Sequence, residues 1–172
     1  PFIAKWPSGI PSGRVSDQVI CTTDLFRTFA SLTNYEVSDN EGEDSYDLSP
    51  LFNEPASDEA LREATVHHSI NGSFAIRQGD WKLIMCPGSG GWSYPTPKEV
   101  QELDSLPDIQ LYNLQTDPGE TNNLQATEQE KVAELKMLLS KYIRDGRSTP
   151  GQKQANDSIS TDWPQIDFME TH

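Results

Sequence analysis

The sequence predicts an α+β fold: a small antiparallel sheet of about four strands packed by one long C-terminal helix. Three observations carry that expectation. Short apolar runs between residues 64 and 86 are parted by Asn71-Gly72 and by Gln78-Gly79-Asp80, and Asn-Gly between such runs signals a hairpin because both positions tolerate positive φ. Residues 109–124, IQLYNLQTDPGETNNL, alternate side chains along a strand and then meet Asp117-Pro118-Gly119, turn chemistry that stops it. Beyond Thr127, Val132, Leu135, Leu139 and Tyr142 recur at spacings of three, four and three, a single helical stripe.

The elements follow in order. Residues 2–6 form a short apolar run bounded by prolines, which suits a buried strand better than so short a helix. Leu25, Phe26, Phe29, Ala30 and Leu32 have helical spacing, so a helix is expected near residues 24–33, with Thr23 or Asp24 as its cap. Residues 36–60 are acidic and rich in Ser, Asn, Asp and Pro, the composition of a surface loop, with room for one turn at 48–52. Strands are expected at 64–69, 74–77, 81–85 and 109–114. Between the last two, residues 87–108 form a loop rich in Gly, Ser and Pro, and so long a loop is usually functional or disordered. Thr127-Glu128-Gln129-Glu130 matches a capping box, and Gly146 is placed to end the helix in a left-handed cap. Burying the four stripe residues would contribute on the order of 6–10 kcal/mol before entropy is subtracted. The tail from Ser148 is polar and punctuated by proline, expected to run over the surface or to dangle.

Composition narrows the functional classes. At 172 residues the chain can bury one ordinary core, or a small core attached to something larger. A formal net charge of -14 repels nucleic acid and anionic membrane surface alike, so neither is an expected partner. No apolar stretch is long enough to span a membrane. The chain opens on Pro1 rather than Met, and an excised piece of a longer protein is expected. Cys21 and Cys86 are too few for a disulfide framework, and two free thiols are expected.

Set in order, PFIAKWPSGIPSG, SDQVICTTDLFRTFASL, FAIRQGDWKLI, LYNLQTDPGETNNL and DGRSTPG resemble successive blocks of the C-terminal third of arylsulfatase-type sulfatases, members of the alkaline-phosphatase superfamily. The resemblance spans roughly residues 1–151. It implies a division into residues 1–35, the last strand and helix remnant of an α/β catalytic domain; 36–63, an acidic linker; 64–146, the sheet-plus-helix subdomain; and 147–172, an extended tail. It implies hydrolysis of sulfate esters by the parent, on sulfated carbohydrate or another sulfated small molecule, and makes a secreted or periplasmic site the expectation.

The family's chemistry does not carry over onto these residues. Its formylglycine arises from a Cys or Ser in the pattern C/S-x-P/A-x-R, whereas Cys21 precedes Thr22-Thr23-Asp24-Leu25 and Cys86 precedes Pro87-Gly88-Ser89-Gly90. Ser148-Thr149-Pro150-Gly151-Gln152 has the proline, but Gln152 stands in place of arginine. The resemblance therefore places calcium and formylglycine in a missing N-terminal catalytic domain, the chief expected partner, and this piece is expected to be inactive by itself, with no catalytic residue and no metal site. Two other readings stand beside it, a non-catalytic carbohydrate-binding or interaction module and part of a phosphoryl or phosphonate hydrolase.

Five residues are candidates for substrate contact. His67 and His68 are adjacent on a strand and so face opposite sides, which prevents joint chelation of one metal; either could donate to a sugar hydroxyl or sulfate at a pocket rim, or be an ordinary strand residue. Trp92 and Tyr94 lie in a Gly-rich loop without the context of a phosphate loop, and could offer a platform for a sugar face or simply pack the loop. Arg147 follows the helix end, where it suits the helix dipole or a substrate rim. Arg77 and Lys82 are expected to pair with carboxylates, and the acidic stretch from Asp39 to Asp47 lacks the spacing of a calcium loop. Residues 2–6 and the face around Phe26 and Phe29 would have covered the missing domain, so self-association through that end is expected.

Overall fold

A computed structural model of the chain describes residues 2–53, 59–103, 105–156 and 163–169. These fall into two compact units, one of residues 1–63 with 146–154 and one of residues 64–145 with 155–172.

The second unit holds the expected sheet and helix. Strands β1 (Thr65–His68), β2 (Phe74–Gln78), β3 (Trp81–Ile84) and β4 (Gln110–Asn113) run antiparallel in the order β1-β2-β3-β4. Their register aligns Val66, Ile76, Leu83 and Leu111 in one row across the sheet. That row faces Leu135, Leu139 and Tyr142 of the long helix at Gln129–Asp145, and together they make the core. The helical stripe and the strand alternation thus meet face to face, each burying what the other would leave wet. Gly79, between β2 and β3, takes φ +55 with open space around it, as a tight hairpin turn requires.

At the start of the long helix the structure departs from the sequence. The Thr127 hydroxyl donates to the Leu124 carbonyl at 3.1 Å, so the expected capping box does not form and the helix begins at Gln129. The reason lies in the preceding turn: the Thr127 and Glu128 amides both donate to Leu124 O, which satisfies those donors before a cap is needed. The other end behaves as read, since the chain leaves the helix at Gly146 with φ +62.

In the first unit a 3₁₀ turn at Thr22–Asp24 leads into α1 at Leu25–Leu32. Its organising group is Asp24, which has no exposed surface. The carboxylate accepts from Cys21 N at 2.7 Å, from Tyr46 N at 2.9 Å and from Arg62 Nη1 at 2.8 Å. Thr28, one turn on, donates to Asp24 O and accepts from Leu48 N at 2.9 Å. The acidic stretch is therefore folded onto α1 by hydrogen bonds, and a short helix α2 at Pro50–Asn53 falls where the sequence suggested a turn. The buried residues of α1 are Thr28 and Ala30, while Phe26 and Phe29 are exposed.

Residues 2–6 do not form the expected buried strand. They have no regular secondary structure and pair with no strand among the described residues, and Ile3 is 90% exposed. A strand gains its stability from a neighbouring ladder, and none is supplied here. Two further short helices appear: α3 at Pro97–Val100 within the long loop, making the Gln129–Asp145 helix α4, and a 3₁₀ helix at Pro164–Met169. Ile166 and Phe168 of the latter pack against the sheet-and-helix core, giving the tail more order than its polarity suggested; its residues 157–162 and 170–172 lie outside those described.

Both cysteines are free thiols. The buried pair at Asp24 sets the first expected outcome. Arg62→Met would strand a buried carboxylate and lower unfolding free energy by about 3–5 kcal/mol, whereas Lys131→Ala, which breaks an exposed pair with Glu134, costs less than about 1 kcal/mol. Chemical denaturation of the two variants compares them, and equal losses would contradict the role given to Asp24.

Candidate functional site

The candidate residues of the second unit gather at the end of the sheet where β1 turns into β2. Alternation along β1 sends His68 to the core side and His67 to the other. The His68 ring lies 4.2 Å from the Phe74 ring, which in turn lies 5.3 Å from Trp163. Its Nδ1 is 3.3 Å from the Gly72 carbonyl. A carbonyl only accepts, so a hydrogen bond there assigns the proton to Nδ1, and the residue is exposed to solvent.

His67 stands on the opposite face, beside the row in which Thr65, Arg77, Lys82 and Tyr112 align. Lys82 Nζ pairs with Glu120 Oε1 at 2.6 Å, and Arg77 Nε donates to Gly79 O at 2.9 Å instead of to a carboxylate. Desolvation holds the His67 pKa below its ordinary 6.5, and the Lys82 charge lowers it further. The residue nonetheless remains exposed by surface area, and its lowered pKa favours the neutral imidazole.

Beside the β1–β2 turn lies the Gly-rich loop, and it is closed upon itself. Gln110 of β4 donates from Nε2 to Cys86 O at 2.7 Å and to Gly88 O at 2.8 Å. Ser89 N donates to Pro95 O at 3.0 Å, and Ser89 Oγ to Ser93 O at 2.6 Å. Gly88 takes φ +63, and a Cβ there would fall 2.7 Å from Pro95 O, so the closure demands glycine. Asn71 N donates to Gly90 O at 3.3 Å, tying the loop to the turn. The loop leaves through Thr96, which caps α3 in a reciprocal box with Glu99. Out of this frame project Trp92, 87% exposed, and Tyr94, 74% exposed. Cys86 at the root of the loop is buried, and desolvation raises its thiol pKa, which suits packing and not nucleophilic attack.

Arg147 belongs to the other unit. Only 4% of it is exposed, and its guanidinium is spent on its own surroundings. Nε donates to Thr149 O, Nη2 to Thr149 Oγ1 and Pro150 O, and Nη1 to Asp39 and Gln152 O. All five donors of the side chain are thereby accounted for, and the arginine clasps the 147–152 segment to Asp39. Hydrogen bonds from Gln152 N and Arg147 in turn hold the Asp39 carboxyl below its usual pKa.

The structure thus brings His68, Trp92 and Tyr94 to one end of the sheet, sets His67 on the opposite face and assigns Arg147 elsewhere. Sequence reasoning missed Gln110 as the pin of the loop, and missed Ile70, 67% exposed, in the turn beside it. Gln110 was hidden because a polar strand residue reads as solvent-facing. Among the described residues no three His, Cys, Asp or Glu side chains converge on one point.

No family model matches the chain. Among curated proteins it is 31% identical over 140 residues to an N-acetylgalactosamine-6-O-sulfatase of Bacteroides thetaiotaomicron, covering 81% of this chain and 26% of that one. It is 29% identical over 170 residues to the N-acetylgalactosamine-6-sulfatase of Sus scrofa, covering 91% and 32%. Among solved structures, a 6S-sulfatase of Bacteroides thetaiotaomicron, from work on the metabolism of multiple glycosaminoglycans, superposes with a TM-score of 0.51 at 30% identity over 69% of this chain and 24% of that one. The chain therefore spans about a quarter to a third of the length of the curated relatives it matches.

His67 gives this site its own check. Its resonance should titrate below 6.5 in a proton NMR titration, and Lys82→Ala should raise the midpoint by removing a repelling charge. Because the unfolded chain then binds the proton more tightly than the folded one, His67 makes stability fall as pH drops through the ordinary histidine value, and the loss levels off below the folded pKa. A midpoint at or above 6.5 would contradict the desolvation assigned to it.

Proposed function

The chain is kin to the sulfatases over a stretch equal to about a quarter to a third of their length, and from that premise we propose that it is the C-terminal part of an enzyme that hydrolyses sulfate esters on carbohydrate. The substrate class is a 6-O-sulfated N-acetylhexosamine. The observation that carries this reading is the 31% identity, over 81% of the chain, to an N-acetylgalactosamine-6-O-sulfatase.

Sulfate ester cleavage needs a nucleophile, cations facing the sulfuryl oxygens and an acid for the leaving group, all converging on one point. In this reading formylglycine and calcium supply the nucleophile and the principal cation from the part of the enzyme outside these residues. The charge balance supports such a division, since a net charge of -14 makes this chain a poor holder of sulfate. Its share is to shape the sugar side of the pocket. His68 is held by Phe74 and Gly72 and is exposed to solvent, able to meet a sugar hydroxyl. The exposed face of Phe26 and Phe29 is where the remaining polypeptide would dock, since apolar side chains this open in an isolated chain otherwise favour self-association.

The complete enzyme, matured and supplied with calcium, should release sulfate from N-acetylgalactosamine 6-sulfate at least about tenfold faster than from the 4-sulfate, the margin expected when a pocket is built around one ester position. Ion chromatography of the released sulfate reads the outcome. Failure to desulfate any sugar or aryl sulfate would overturn the proposal.

A further inference from the structure

The Gly-rich loop and the turn beside it are both uncharged in an otherwise acidic chain. Residues 69–73, Ser-Ile-Asn-Gly-Ser, and residues 86–97, from Cys86 to Pro97, contain no Asp, Glu, Lys or Arg. The two segments are joined by the Asn71 N to Gly90 O bond, and they pack closely: a Cβ on Gly90 would fall 2.6 Å from Ser69 Oγ, and one on Gly91 would fall 3.5 Å from Ile70 Cγ2. The result is one uncharged surface bearing three open apolar side chains, Ile70, Trp92 and Tyr94, set among the hydroxyls of Ser89 and Ser93 and the carboxamide of Asn71.

Its preorganisation matters as much as its composition. The loop is fastened at its root by Gln110, across its middle by Ser89, and at its far end by the cap on α3. Positive φ at Gly88 and Gly90 fixes the tight path between. Aromatic rings held out to water on a braced loop lose little entropy on contact, because the ordering precedes binding. What they fit is the C–H face of a pyranose, which stacks on an aromatic ring while its equatorial hydroxyls reach polar neighbours. A sulfated or carboxylated sugar would find no cation within these two segments and an acidic chain as a whole.

We propose that Trp92, Tyr94 and Ile70 form a subsite for an uncharged sugar residue flanking the sulfated one, so that the enzyme grips an oligosaccharide and not only its sulfated unit. This deepens the sulfatase reading and rests on it for the identity of the neighbouring sugar. The test uses the 172-residue chain and the neutral N-acetylhexosamine oligomer chitotetraose, with binding followed by the indole signals in NMR titration. Saturable binding should weaken about tenfold in Trp92→Ala, the loss expected of one stacking ring. Trp92→Phe should keep most of it, and Met137→Ala, on exposed α4 surface, should keep all of it, each variant first shown to unfold like the unsubstituted chain.

Absence of saturable binding, or binding indifferent to Trp92→Ala, would overturn the subsite. The two readings fail separately. Sulfate release by the complete enzyme without neutral-oligomer binding here would sink the subsite alone, and binding here without sulfate release would overturn the sulfatase reading and leave a glycan-binding surface.

Discussion

The second unit depends on how β4 is held on its open side. Leu111 lies on an edge strand, paired to β3 on one side only, yet it is fully buried, so its outward amide and carbonyl need partners. Asn123 accepts from Leu111 N at 2.9 Å and donates from Nδ2 to Ile109 O at 3.1 Å, while Leu124 N donates to Leu111 O at 2.8 Å. A side-chain amide thus stands in for a fifth strand. For the chain to come back to that edge, the intervening turn must close tightly, and Asp117 closes it by accepting from Thr121 N and Asn122 N. Those bonds also hold its carboxyl below the usual pKa. From Leu124 the chain passes directly into α4, and from the inner end of the same strand Gln110 reaches out to pin the aromatic loop. Fold and candidate site therefore share one strand.

The first unit answers a different difficulty. A lean, acidic segment has little apolar surface to bury, and its cohesion comes from a carboxylate placed at zero exposure and surrounded by donors. Removing one partner from such a cluster costs far more than the cluster contributes over an apolar replacement, which makes it a specifier of one arrangement. Arg62 also lies 4.7 Å over the Tyr46 ring, so the cation is shielded as well as paired. Arg147 and Asp39 repeat the pattern nearer the surface.

The strands and the long helix were legible because periodicity and turn chemistry agreed: Asn71-Gly72, Gly79 and the α4 stripe each pointed to a single local structure, and the register obeyed them. What sequence could not show were long-range polar contacts. Nothing in the run SDQVICTTDLF marks Asp24 as a buried ion-pair partner of a residue 38 positions on, and nothing at residues 2–6 shows that none of the described strands pairs with them. The capping box failed for a related reason, since a nearer carbonyl at Leu124 captured the Thr127 hydroxyl. The candidate residues fared unevenly. Exposed aromatics in a Gly-rich loop could be read as a platform, but only coordinates reveal that Gln110 braces that loop and that Arg147 faces inward to its own segment.

In the proposed reading, chemistry and recognition are divided between two parts of one enzyme, with sulfur–oxygen bond cleavage assigned to residues outside this chain. The division is most directly tested by incubating the 172-residue chain with calcium and a chromogenic aryl sulfate, which demands little of the sugar-binding surface, and following release of the phenol. The account predicts no turnover above the buffer rate. Calcium-dependent turnover by the chain, lost on substituting one of its own residues, would contradict it and place a nucleophile where none has been assigned.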